Sequence, residues 1–262
     1  MEKKLYPLKF IPVPSRRPWG GSALVNQLGK HFVEVDEEGN ETVLGDDALI
    51  GESWELADMG IEDSVVENGW LAGNTISELM ETYLERVVGE DVYNYYGRQF
   101  PLLIKFLDIK GKLSVQVHPD DEYALAHEGE YGKTEMWYVV SAEPGATLYI
   151  GFKDPKITRE QYIDAVAQGT VADIIEPVTV KAGDAFLIPS GTVHSISGGV
   201  TLIEIQQPVD LTYRIFDWNR VDEKGNSREL HTAYAVDAID FTSNVAACKR
   251  EYKARKNEAV EI

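Results

Sequence analysis

Gly183-Asp184-Ala185-Phe186-Leu187-Ile188-Pro189-Ser190-Gly191-Thr192-Val193-His194 is the stretch that decides the fold. An apolar run of strand length, 185–188, is stopped by a Pro-Gly turn, and a histidine opens the next strand. Taken alone, this is a surface turn with an incidental histidine. Its neighbours give it weight. Segments 135–140, 147–150, 178–180 and 200–205 are short and rich in β-branched and aromatic residues, and turn signals at Glu143-Pro144-Gly145, Ala182-Gly183-Asp184 and Ser197-Gly198-Gly199 divide them. One helix, over 158–168, interrupts the series. Short strands at this spacing predict a sandwich, barrel or jelly roll, mainly β with helical additions.

Working toward the N-terminus, Lys112-Leu113-Ser114-Val115-Gln116-Val117-His118-Pro119-Asp120-Asp121 alternates with a period of two. Ser114, Gln116 and His118 share one face; Leu113, Val115 and Val117 share the other, which is expected to face the sandwich core. The alternation alone suits an exposed polar face as well as a ligand pocket. Further back, 102–117 reads as two strands broken at Lys110-Gly111, with a short helix at 121–128. Thr75 caps a helix expected over 76–88, with Glu78 at capping-box spacing and Gly89 past its end. Segments 32–35 and 51–56 alternate as strands.

The spacing Gly183-x5-Pro189-x-Gly191-x2-His194 coincides with the second signature motif of the cupin jelly rolls. Gly132-Lys133-Thr134-Glu135 opens a strand with Lys133 and Glu135 on one face, a pair that is solvated in most proteins. In a jelly roll that brings Gln116, His118 and His194 together, Glu135 becomes the missing carboxylate. Two nitrogens and two oxygens form a borderline donor set that suits Zn²⁺ and does not exclude Mn²⁺, Co²⁺ or Fe²⁺.

The runs Pro101-Leu102-Leu103-Ile104-Lys105-Phe106-Leu107-Asp108, Leu113 to Ala124 and Gly132-Lys133-Thr134-Glu135-Met136-Trp137-Tyr138 resemble the type I mannose-6-phosphate isomerase family. So do Arg17-Pro18-Trp19-Gly20-Gly21, Gly51-Glu52-Ser53-Trp54-Glu55, Pro189-Ser190-Gly191-Thr192-Val193-His194 and Tyr213-Arg214-Ile215-Phe216-Asp217-Trp218. The match runs over about 16–241. The resemblance implies a cupin-type jelly roll (a double-stranded β-helix) with helical insertions. It also implies one Zn²⁺ per chain at Gln116, His118, Glu135 and His194, and a catalytic arginine at Arg214. Against the general cupin pattern, Gln116 replaces the first histidine, the interval from His118 to Glu135 is enlarged, and Gly198 stands where Asn is usual. The first two departures are those of the isomerase family. The expected organisation is an N-terminal β-rich region with a helix over 1–100, the catalytic jelly roll over 101–220, and a C-terminal extension over 221–262 that forms a reduced second β lobe.

Charge narrows the partners. Lys plus Arg number 25 against 44 Asp plus Glu, a net charge of −19. Such a field repels nucleic acid and anionic membrane surfaces, so neither is an expected partner. An anionic phosphosugar then needs a local basic island, for which Lys105, Lys133 and Arg214 are the candidates with Ser114 as a hydroxyl donor. Taken singly, each of the three reads as surface charge. Glu204 shares a strand face with Gln206 and is a candidate proton carrier, although an exposed face is the default there. Trp19, Trp54 and Trp137 read as packing residues; His31, His127 and His231 have no partner pattern. Cys248 is the single cysteine, which excludes an intrachain disulfide and a Cys-based zinc site. With no targeting segment apparent, a cytoplasmic location is expected.

The expected reaction interconverts mannose 6-phosphate and fructose 6-phosphate, moving a proton between C1 and C2 through an enediol or enediolate. Arg214, Lys133 and Glu204 are the candidate catalytic residues, and the proton carrier stays open among a metal-bound water, Lys133 and Glu204. Two rival classes are an Fe-dependent cupin oxygenase and a non-catalytic sugar-phosphate-binding cupin. Oligomeric state is not readable from the sequence.

Overall fold

The computed structural model describes residues 4–253 apart from 37 and 61. Twelve strands form two antiparallel sheets: β1 (Val13–Ser15), β2 (Glu52–Leu56), β3 (Leu103–Ile109), β4 (Val115–Val117), β5 (Glu135–Ala142), β6 (Thr147–Phe152), β7 (Ile175–Thr179), β8 (Ala185–Ile188), β9 (His194–Ser197), β10 (Val200–Gln206), β11 (Tyr213–Phe216) and β12 (Lys249–Arg250). One sheet has the order β1-β2-β3-β10-β5-β8-β12 and the other β7-β6-β9-β4-β11. From β3 to β12 sequence neighbours alternate between sheets, as in a jelly roll, except that β6 and β7 pair as neighbours in the smaller sheet. Strands from the N-terminal stretch and from the C-terminal stretch share the larger sheet with the central strands.

Between the sheets lies an apolar core. Leu107, Trp137, Val139, Phe186 and Leu202 from one sheet meet Leu148, Ile150 and Ile196 from the other. The smaller sheet buries its outer face as well, packing Val115, Val117, Tyr213 and Ile215 against Tyr162, Val171, Ala235 and Ile239. Tyr162 belongs to the helix α3 (Arg159–Ala167) and Ala235 to α4 (Thr232–Ala238), which follow α1 (Ile76–Tyr83) and α2 (Asp121–His127) along the chain.

This double covering corrects the reading of 112–121. Gln116 pairs with His194, which shares its face with Ile150 and hence with the inter-sheet core. The polar face of β4 points inward, and the valine face lies under the helices. The same inversion holds on β10, where Leu202, Glu204 and Gln206 are buried and Ile203 and Ile205 are less so. Glu204 is thus not on an exposed face.

The expected capping box of Thr75 with Glu78 forms at α1, and the structure adds a second, Thr158 with Gln161, at α3. The helix expected over 76–88 is two pieces, because Leu84 takes φ of +49° between α1 and a short turn at Glu85–Val88. Segment 185–188 is a strand as expected, and His194 is the first residue of β9. Gly191, at φ +83°, donates its N–H to the His118 carbonyl at 2.8 Å. A Cβ there would crowd Asp240, so the turn that delivers His194 is held against the end of β4 only if residue 191 is glycine. The part of the expected C-terminal lobe from residue 254 onward lies outside the described residues. No helix among the described residues is long and apolar enough to cross a membrane.

Candidate metal centre and cleft

Strand register places the site. On the smaller sheet, His194, Gln116 and Arg214 lie side by side on β9, β4 and β11. On the facing sheet, Trp54, Lys105, Glu204 and Trp137 form a row across β2, β3, β10 and β5. Glu135 opens β5 beside Gln206 and Ile188. His118 follows β4, and Lys133 is brought beside it by its N–H donating to the Pro119 carbonyl at 3.1 Å.

His118, Glu135 and His194 are all buried, and one donor atom from each lies within 4.8 Å of the others. The Nδ1–H of His118 donates to the Leu211 carbonyl at 2.8 Å, and that of His194 to the Thr192 carbonyl at 2.8 Å. Burial, with Lys133 and His194 adding to it, pushes the His118 imidazolium well below its ordinary range. Burial also lowers His194, only partly offset by the Thr192 bond, to about 4. Both rings are therefore neutral near pH 7, with Nδ1 protonated and the Nε2 lone pair directed inward.

Facing them are the two Glu135 oxygens, Oε2 3.5 Å from His118 Nε2 and Oε1 3.3 Å from His194 Nε2. With neutral rings these close approaches are lone pair against lone pair, not salt bridges. His118 Nε2 and both Glu135 oxygens have no hydrogen-bond partner. Such a buried convergence of acceptor atoms could hold a metal ion. Gln116 Nε2 lies 3.1 Å from His194 Nε2, and its Oε1 accepts from Ser114 Oγ at 3.2 Å. Turning the amide over would direct its oxygen to the centre and its NH₂ to the serine hydroxyl.

Beside this group opens a cleft of about 230 Å³, lined by Ser114, Gln116, Lys105, Lys133, Glu204 and Arg214, together with Arg17, Glu52, Asp210 and Arg228. Five basic side chains against three carboxylates make it a positive island in a chain of net charge −19. All the residues singled out in the sequence thus come together around the cleft or the metal group. Lys105 and Lys133 are not surface charges: they are 3% and 4% exposed.

Each is held by carboxylates. Lys133 Nζ lies 3.4 Å from Glu135 Oε2. Burial would lower its ammonium, but Glu135, Glu204, Asp210 and Glu52 overcome that and raise it. Lys105 Nζ sits among Glu52 at 3.7 Å, Glu204 at 3.8 Å and Asp210 at 4.0 Å, over the Trp54 ring. The tryptophans do more than pack: Trp137 Nε1 donates to Glu204 Oε2 at 3.0 Å and Trp54 Nε1 to Glu52 Oε2 at 2.7 Å. Burial, then the neighbouring Glu135, raises the Glu204 carboxyl above its ordinary range despite Lys133 and Lys105. Arg214 is lowered by burial and by nearby Arg228, and its Nε has no partner.

Sequence reasoning missed Arg17, Glu52 and Arg228. Arg17 grips Glu52 with two hydrogen bonds, at 2.9 and 3.2 Å, across thirty-five residues of chain. The first two sit in motifs that carried the resemblance, Arg17-Pro18-Trp19 and Gly51-Glu52-Ser53-Trp54, which was the signal available. Arg228 had none.

Fold and donor set together define a jelly roll of the cupin class with a group that could hold a metal ion. Residues 8–141 match the model of the phosphomannose isomerase type I catalytic domain. Mannose-6-phosphate isomerase ManA of Bacillus subtilis is 39% identical over 90% of this chain and 69% of its own length. The mannose-6-phosphate isomerase of Streptococcus mutans is 38% identical over 86% of this chain and 65% of its own length. A crystal structure of the mannose 6-phosphate isomerase from Bacillus subtilis superposes with a TM-score of 0.76 at 32% identity, covering 95% of this chain and 74% of that one. The chain belongs to the type I phosphomannose isomerase family, a family of aldose–ketose isomerases. It spans about two thirds of the length of these curated relatives.

Proposed function

We propose that this chain interconverts mannose 6-phosphate and fructose 6-phosphate, with one zinc ion held by Gln116, His118, Glu135 and His194 in the jelly roll over 101–220. The observation that carries the reading is the buried group of His118, Glu135 and His194, whose acceptor atoms converge at the side of a basic cleft. Membership in the family supplies the substrate, and the relatives bear its name. When bound, zinc supplies a Lewis acid that polarises a substrate oxygen.

The chain's own residues do the rest. Glu204 carries the proton between C1 and C2: it lines the cleft, Trp137 fixes one of its oxygens, and the other faces Lys105 at 3.8 Å. Lys133 is held against Glu135 and serves as a fixed positive charge. Arg214, on the opposite sheet, stabilises the negative charge that develops on the enediolate. Ser114, Lys105, Lys133 and Arg214 provide the phosphate with local attraction against the overall field.

A coupled assay for fructose 6-phosphate tests this, with mannose 6-phosphate and free mannose as substrates. Turnover of the phosphosugar with a far lower kcat/KM for mannose is expected. Binding of the phosphosugar without turnover in the zinc-loaded protein, or oxygen consumption with iron, would contradict it.

A further inference from the structure

β11 is the outer strand of the smaller sheet, so one side of its backbone has no neighbouring strand. At Arg214 a single residue takes that neighbour's place. The His231 backbone N–H donates to the Arg214 carbonyl at 2.7 Å, and His231 Nδ1 accepts the Arg214 N–H at 3.1 Å. A ring nitrogen thus does the work of a strand carbonyl. Two residues earlier on the same segment, the Glu229 carbonyl accepts from Arg214 Nη1 at 2.9 Å.

Among the described residues, no other hydrogen bond or ion pair holds this side chain. Arg17 has Glu52, and Arg220 and Arg228 both have Asp217, whereas among the described residues no carboxylate lies within ion-pair distance of Arg214. Its Nε is buried and unpartnered. The strand itself is irregular here, the pairing with β4 shifting between Arg214 and Phe216. His231 in turn stands at the start of α4, whose Ala235, Val236 and Ala238 pack into the core beneath the smaller sheet.

We infer that His231 is a positioning residue for the isomerisation, acting through Arg214: it clamps the open edge of β11 so that the guanidinium stays aimed into the cleft. The inference rests on the reading of Arg214 given above. Removing the ring leaves one of the two backbone bonds and lets the strand end shift, and a displacement near 1 Å from productive geometry lowers rates by up to about 10²-fold. Asn offers Oδ1 where the histidine has Nδ1 and can accept the same N–H.

The experiment measures kcat, KM and zinc content for His231→Ala and His231→Asn, each alone and combined with Arg214→Ala, and follows exchange of the Arg214 amide. His231→Ala is expected to lose roughly 10-fold in kcat, with KM and zinc little changed, and to speed Arg214 amide exchange by about the same factor. His231→Asn restores most of both. In the Arg214→Ala background, His231→Ala should cost nothing further in kcat. An equal loss in both backgrounds, no rescue by Asn, or unchanged exchange would overturn the inference. Full activity in Arg214→Ala alone would instead overturn the role given to Arg214, while the exchange measurement still decides whether His231 holds the strand.

Discussion

Replacing Glu52 with Gln removes a buried charge while keeping the shape of the side chain. The carboxylate accepts two hydrogen bonds from Arg17 and one from Trp54, and lies 3.7 Å from Lys105. Burial alone would raise its pKa, but Lys105, Arg17 and Trp54 overcome that and bring it from 4.5 to about 2. A folded-state value below the unfolded one means stability that is complete above pH 4.5 and is lost as pH falls toward 2. At about 1.4 kcal/mol per tenfold change in proton affinity, the contribution is about 3 kcal/mol at pH 7 and about 1 kcal/mol at pH 3. Glu52→Gln should therefore be less stable by about that amount at pH 7, a fall in Tm of roughly 6–12 °C for a chain of this size. Chemical denaturation of both proteins at pH 7 and pH 3 reads the gap directly. A gap of the same size at both pH values would refute the electrostatic origin, and no gap at pH 7 would refute the contribution itself.

Other expectations follow from the same geometry. Arg214→Ala should keep its zinc and a Tm within a few degrees while losing roughly 10²–10³ in kcat, the scale of one lost electrostatic donor; near-normal kcat and KM with zinc bound would remove it from the mechanism. His118→Ala should lose zinc affinity and turnover together, and full zinc by elemental analysis with normal activity would contradict the ligand set. The Tyr162 hydroxyl is buried among Phe152 and Phe241 with no hydrogen-bond partner, and burial raises its pKa. Tyr162→Phe should then gain about 1 kcal/mol in stability, seen as a Tm higher by about 2–4 °C; a lower Tm would show that the hydroxyl is satisfied.

Local signals in the chain translated directly into structure. The run at 183–194 becomes β8, a turn and the first residue of β9, and the Thr75 capping box forms where its spacing puts it. Alternation at 113–118 and 202–206 showed which residues share a face but not which face turns inward. Both faces of the smaller sheet are buried, and the polar interior is made tenable by charges that meet across strands. Those meetings depend on register, as with Arg17 and Glu52, and on chain that returns from a distance, as with His231 against Arg214. The break at Leu84 has no glycine or proline to mark it. The donor group was legible through its spacing, yet the feature that fits it to a cation, two inward lone pairs facing a buried carboxylate, follows from the carbonyls of Leu211 and Thr192.

The most direct test of the account titrates zinc into the metal-stripped chain while following fructose 6-phosphate formation from mannose 6-phosphate in the same sample. Activity should rise from background in step with bound metal and level off at one zinc per chain. Full turnover by the stripped protein, or zinc bound to saturation with the rate still at background, would contradict it.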